Sequence, residues 1–176
     1  MSDDPATMGA AFKFLVVADD TPEFPAAFLY ASLRARATRA GLVILRVIEP
    51  TEPAAWVSVG EEMRRQAWAA AEALVDRFSS EAWAEAGITP EKLIREGDLR
   101  TELRKAVESD PAIKIVTLAA GAGAGGPGPL VSAALKGQAF GPDRALPVVV
   151  VPSGVSIDQI RALADPGPQA APGDIA

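Results

Sequence analysis

The sequence predicts one α/β domain, a Rossmann-like, doubly wound sheet of five parallel strands with helices on both faces. Three observations carry that expectation. Short apolar runs of strand length alternate five times with segments of helical periodicity. Most of these runs are too apolar to leave either face in water, as strands buried on both sides require. The 176 residues, 49% hydrophobic and 23% charged, suffice for one core but not for two ordinary ones. Parallel neighbours need crossovers, and right-handed crossovers distribute the helices over both faces.

The first strand is expected from Phe12 to Ala18 (FKFLVVA) and ends at Asp19-Asp20-Thr21-Pro22. Thr21 or Asp20 is suited to cap the following helix, with Pro22 in its first turn. Phe24, Phe28, Ala31 and Ala35 share one helical face, Arg34 and Arg36 lie off it, and Gly41 is the expected stop. Leu42 to Ile48 (LVILRVI) forms the second strand, followed by a loop with Pro50, Pro53 and Trp56. Ser58 and Glu61 have the spacing of a capping box. Met63, Ala67, Ala70, Leu74 and Phe78 form the expected apolar stripe of a long helix that stops near Gly87.

A shorter, more polar strand is expected at Lys92 to Arg95. Asp98 is placed to cap the next helix, whose inward face is Leu103, Ala106 and Val107, and Asp110-Pro111 ends it. Ile113 to Leu118 is the fourth strand; a glycine-rich turn, Gly121 to Gly128, and a short helix near Leu130 to Leu135 follow. Pro147 and Pro152 bracket four valines, the fifth strand, and Ser156 with Gln159 opens a terminal helix. The domain is expected to span residues 11–164. Residues 1–10 and 165–176 carry too little apolar content to pack and are expected to be disordered.

Composition removes several function classes. With no cysteine and no histidine, disulfides, Cys/His zinc sites and Ser-His-Asp or Cys-His catalysis are excluded. The net charge of −6 argues against a nucleic-acid partner. The first residues carry acids and no basic run, so no secretory signal is expected. The longest apolar stretch, Ile113 to Leu135, is broken by Lys114, five glycines and two prolines, so no membrane span is expected. A cytoplasmic location follows.

In open parallel sheets, ligands bind beyond the carboxyl ends of the strands where the winding reverses. Asp19 and Asp20 end the first strand and the glycine turn ends the fourth, so the two segments are expected to face each other across a crevice. Backbone amides of a small-residue turn suit phosphate; a flexible surface loop is the alternative reading. The turn holds no GxxxxGK[ST]. Gly121, Gly123 and Gly126 fit GxGxxG, but they follow the fourth strand rather than the first, and a glycine-rich run generates that pattern by chance. Asp19 and Asp20 read as dipole-matched acids at a helix start or, alternatively, as a carboxylate pair. Lys136 is the cation nearest the turn in sequence. Trp56, Trp68 and Trp83 are assigned to core or interface.

The chain resembles the universal stress protein family, particularly its alphaproteobacterial form. The segments KFLVVADDTPEFPAAFLYASLRA, LVILRVIEP, LIREGDLRTEL, and IVTLAAGAGAGGPGPLVSAAL followed by LPVVVVP carry the likeness over about residues 12–152. The resemblance implies a strand order of 3-2-1-4-5 in an adenine nucleotide alpha hydrolase-like fold. It implies homodimers paired through the fifth strands, and Val148 to Val151 is an edge strand with no protective charge. It also implies an ATP or AMP ligand, held by Asp19 or Asp20, by the backbone at Val47, and by glycines among Gly121, Gly123, Gly125, Gly128 and Gly137. No metal is implied.

The family's phosphate motif, Gly-x2-Gly-x9-Gly followed by Ser or Thr, is incomplete. From Gly121 the corresponding positions are Ala124 and Ala134; from Gly125 they are Gly128 and Gln138, one past Gly137, and no hydroxyl residue follows Gly137. Two functions are therefore carried forward. One is a regulatory stress-response module that binds an adenine nucleotide or related small ligand and acts on a protein partner still to be identified. The other is a dimeric interaction protein without nucleotide binding. An enzyme is not expected, with weak ATP hydrolysis the most the resemblance supports: substrate-activating relatives of this fold carry SGGxDS where this chain reads ADDTPE.

Overall fold

A computed structural model describes residues 12–50, 57–138, 140–141 and 145–164. Ten elements alternate along the chain: β1 (Lys13–Ala18), α1 (Phe24–Thr38), β2 (Gly41–Ile48), α2 (Val57–Ala86), β3 (Glu91–Glu96), α3 (Leu99–Ser109), β4 (Ile113–Ala120), α4 (Pro129–Leu135), β5 (Val148–Pro152) and α5 (Ile157–Ala164). The five strands form one sheet in the order β3-β2-β1-β4-β5, every neighbouring pair parallel. The expectations for residues 1–10, 165–176 and Trp56 lie outside the described residues.

Strand alternation divides the core in two. On β1, Phe14, Val16 and Ala18 face α1 and α2, while Leu15 and Val17 face α3 and α4. Each helix meets the sheet with a stripe of matching period. Phe24, Phe28, Ala31 and Ala35 of α1 are buried, as are Leu103, Ala106 and Val107 of α3. Phe24 and Phe28 stack edge-on against Phe78 of α2, with ring centroids 4.6 and 5.0 Å away. Beside them, Ala27, Leu29, Val151 and Ile160 form a third cluster that seats α5 against α1.

The helix starts at α3 and α5 are set by side chains. Asp98 Oδ1 accepts the Thr101 amide at 2.9 Å, which caps α3. Ser156 and Gln159 satisfy each other's backbone amides at 3.2 and 2.8 Å, a complete capping box. The hydrogen bonds to Asp98 hold its carboxyl below the usual carboxylate range, the Thr101 hydroxyl contributing most.

Three local expectations change. The first helix begins at Phe24 with Glu23 at the N-cap and no side-chain cap bond, because Thr21 donates to Asp19 in the preceding turn and the Asp20 carboxylate accepts from Arg46. It ends at Arg39, which takes the left-handed conformation at φ 54°, while Gly41 already opens β2. The α2 stripe is Ala71, Val75, Phe78, Ala82 and Ala86; of the expected series Phe78 is buried and Leu74 packs against the same core, while Met63 is 43% exposed. The reason is length. Thirty residues of helix run about 45 Å, whereas the eight-residue β2 spans about 26 Å. The first half of α2 therefore continues past the carboxyl ends of the strands with no sheet beneath it, and Ser58 is a helical residue of α2.

β5 closes one side of the sheet. Val151 is buried and Val150 is 37% exposed, so the valine strand offers a partly uncovered apolar edge. β3 closes the other side with a more polar sequence.

Two substitutions test this packing. Arg39→Gly removes the left-handed strain of a residue with a Cβ and is expected to stabilise the protein by about 1 kcal/mol, raising Tm by about 2–4 °C. Phe78→Ala empties the aromatic cluster and is expected to cost about 3–5 kcal/mol. Thermal and urea unfolding of both variants check the pair.

Candidate functional site

The carboxyl ends of β1 and β4 lie side by side at the centre of the sheet, where the chain reverses its winding. After β1 the chain turns sharply. Asp19 Oδ1 accepts both the Thr21 amide, at 3.0 Å, and the Thr21 hydroxyl, at 2.6 Å. This Asx-type turn fixes the path into α1. After β4 the glycine turn closes on itself, the Gly126 amide donating to the Gly123 carbonyl at 2.9 Å. A Cβ on Gly121 would stand 3.3 Å from the Gly126 carbonyl oxygen, so a side chain there would push the turn open by a few tenths of an ångström. Gly128 has φ +94° and sets the entry to α4, a conformation that favours glycine.

Between these turns lies a crevice of about 410 Å³. Val17, Ala18, Val47, Leu118 and Ala119 line it from the strands, Leu99 from α3, and Pro127 to Val131 from the glycine turn and α4. Ala67 and Ala70 line it from the projecting half of α2. Three charged residues enter the lining: Asp19, Arg46 and Glu49. A mostly apolar cleft with a few convergent polar groups suits a small molecule.

Of the residues singled out in the sequence, Asp19, Val47 and Gly128 line this crevice together. Asp20 is at its rim, where its carboxylate accepts from Arg46 at 2.7 Å. Gly121, Gly123 and Gly125 belong to the neighbouring turn without lining the cavity, and Gly137 ends α4 at φ +73° outside it. Lys136 is exposed at the carboxyl end of α4 and does not line the crevice. Trp68 is half-buried on α2 and Trp83 is 65% exposed. Among the described residues, no three Asp, Glu, His or Cys side chains gather in a way that would hold a metal ion.

Two contributors escaped the sequence reading. Arg46 sits inside the apolar run LVILRVI, and that single interruption was its signal. The α2 wall is held by Glu96 at the end of β3. Its Oε2 accepts from the Arg64 guanidinium, with the closest nitrogen at 2.7 Å, and from Trp68 Nε1 at 3.3 Å. Arg64 first, and then Trp68, keep the Glu96 carboxyl below its ordinary range. Nothing in the spacing of Arg64, Trp68 and Glu96 announces that contact, because it joins two elements across 28 or more positions.

A sequence model of the universal stress protein family matches residues 12–133. The chain belongs to the universal stress protein family. Its sheet order is that of the adenine nucleotide alpha hydrolase-like fold. Solved universal stress protein structures superpose over most of the chain at low identity. The universal stress protein UspA from Lactobacillus plantarum is 18% identical, with 81% of this chain and 99% of that one covered and a TM-score of 0.68. A universal stress protein crystallised in complex with cAMP is 15% identical over 82% of this chain and 99% of its own, at a TM-score of 0.59. A family member from Arabidopsis thaliana with AMP bound is 16% identical over 84% and 94%, at a TM-score of 0.53. Among curated proteins, none matches the chain. No described helix is long and apolar enough to cross a membrane.

The tether on α2 has a measurable consequence. Glu96→Gln is expected to speed amide hydrogen exchange in residues 57–70 by about two- to fivefold, leaving 71–86 unchanged. A carboxylate with a depressed pKa contributes above its unfolded value of 4.5 and loses that contribution as pH falls through its lower folded value. Acidification through that window should therefore loosen the same segment in the wild type and not in Glu96→Gln.

Proposed function

We propose that this universal stress protein is a regulatory stress-response module whose crevice between β1 and β4 binds an adenine nucleotide, AMP or ATP, or a close analogue. The observation that carries the reading is the crevice itself. It joins Asp19 and the Val47 strand end on one side to the Gly128 entry of α4 on the other, at the position where a doubly wound sheet holds its ligand. Family members crystallised with cAMP and with AMP support it. In this reading Asp19 and Val47 meet the base and ribose. Gly121, Gly123, Gly125, Gly128 and, more remotely, Gly137 belong to the phosphate side.

The role proposed is binding rather than turnover, and weak ATP hydrolysis is the upper limit. Asp19 is committed to Thr21 and Asp20 to Arg46, so neither carboxylate is arranged as a free base for a reacting group. We further propose that the protein acts in the cytoplasm as a homodimer joined along Val148–Val151 and signals to a protein partner. The exposed Val150 on an edge strand supports that pairing. The same exposed edge, together with the absence of a hydroxyl residue after Gly137, favours the second reading, a dimeric interaction protein that binds no nucleotide.

Calorimetric titration with AMP and ATP, joined to analysis of small molecules released on denaturing freshly purified protein, separates the two. The first reading expects saturable heat with at least one nucleotide or a co-purified nucleotide. No heat at millimolar nucleotide and no released ligand would leave only the second. Light scattering showing a monomer at tens of micromolar would remove the dimer from both.

A further inference from the structure

Arg46 is the one basic side chain among the described residues lining the crevice. Strand alternation puts it there. Leu42 and Ile44 pack beneath α1 and α2, and Arg46 follows on that face, in register with Ala18 of β1. β2 runs on to Ile48, and the Arg46 side chain is only 21% exposed.

A guanidinium carries five N–H donors and no acceptor. Two of its nitrogens are committed: Nη1 donates to the Ala18 carbonyl at 3.2 Å and Nη2 to Asp20 Oδ2 at 2.7 Å. Nε is buried and has no hydrogen-bond partner among the described residues. Nη1 and Nη2 each carry a second N–H, so the partly exposed head keeps donors for an acceptor on a ligand, and a bond there perturbs the whole conjugated guanidinium, Nε included. The carboxylates around it are better served. Asp19 Oδ1 already accepts twice from Thr21, and Asp20 holds Arg46 from the rim.

We propose that Arg46 is a specificity-determining residue of this crevice, donating from its guanidinium to an oxygen acceptor on the bound ligand, with Asp20 as the residue that positions it. The proposal rests on the reading of the crevice as a ligand site. Because Arg46 can only donate, it favours ligands that present oxygen where it stands and disfavours an amino group there. The oxygen has two sources in a nucleotide, a phosphate or a 6-oxo purine.

The test uses the full chain labelled with ¹⁵N and five probes: AMP, GMP, adenosine, guanosine and inorganic phosphate. The Arg46 Nε–H resonance is assigned by its loss in Arg46→Lys, and affinities are measured by calorimetry. A saturable shift of that resonance with at least one probe is expected, and Arg46→Met should weaken the same probe about tenfold or more. Asp20→Asn should weaken it a few-fold alone and add nothing to Arg46→Met, since Asp20 acts through Arg46. Losses confined to AMP, GMP and phosphate identify a phosphate oxygen; losses confined to GMP and guanosine identify the 6-oxo group.

A probe that binds without shifting the Arg46 resonance and keeps its affinity within twofold in Arg46→Met overturns the proposal, while nucleotide binding stands. A shift with inorganic phosphate alone supports Arg46 and overturns nucleotide binding. No shift with any of the five overturns the proposal outright. If Arg46→Met fails to fold by circular dichroism, the wild-type resonance still decides, and Arg46→Lys supplies the affinity comparison.

Discussion

Burial of β1 on both faces governs the rest of this molecule. Phe14 to Ala18 are 0–6% exposed, packed against α1 and α2 on one side and α3 and α4 on the other. A strand with two apolar faces and two parallel neighbours needs helical crossovers in both directions along the sheet. The chain winds outward from β1 through β2 to β3, then returns to place β4 and β5 on the other side. That reversal separates the loops after β1 and β4, and the crevice is the space left between them. The crevice is thus a consequence of how the core is covered, and its floor is made by the last residues of core strands.

The same logic explains what was legible in the sequence. Elements whose apolar residues follow one period read directly: the LVVA and VVVV runs, the Phe24–Phe28–Ala31–Ala35 face, and the Leu103–Ala106–Val107 face. So did the caps at Asp98 and Ser156, which act over three residues. The α2 stripe did not, because Ala67, Ala70 and Met63 continue a plausible apolar period into a region where no sheet remains beneath the helix. The end of α1 did not either. The left-handed turn at Arg39, with the Ala40 amide donating back to the Ala35 carbonyl at 2.8 Å, stops the helix before the glycine is reached.

At the site, sequence identified the two turns and left their chemistry incomplete. Asp19 and Asp20 are adjacent and looked equivalent, yet strand geometry sends one to Thr21 and the other to Arg46. That difference depends on the register Ala18–Arg46 between β1 and β2, a contact between residues 28 positions apart. The glycine turn likewise divides: Gly121 is favoured by a close approach and Gly128 by its backbone angle, while Gly125 has open space around it and no left-handed angle. A spacing motif treats these glycines alike; the fold does not.

Function in this molecule turns on whether a ligand occupies the space between the β1 and β4 turns. Backbone amide perturbation mapping with AMP tests it most directly. Occupancy of that space gives saturable shifts concentrated at Ala18, Asp19, Val47 and Gly128, with the β5 edge and α5 unmoved. Saturable shifts located elsewhere on the surface, or none at millimolar AMP, would contradict it.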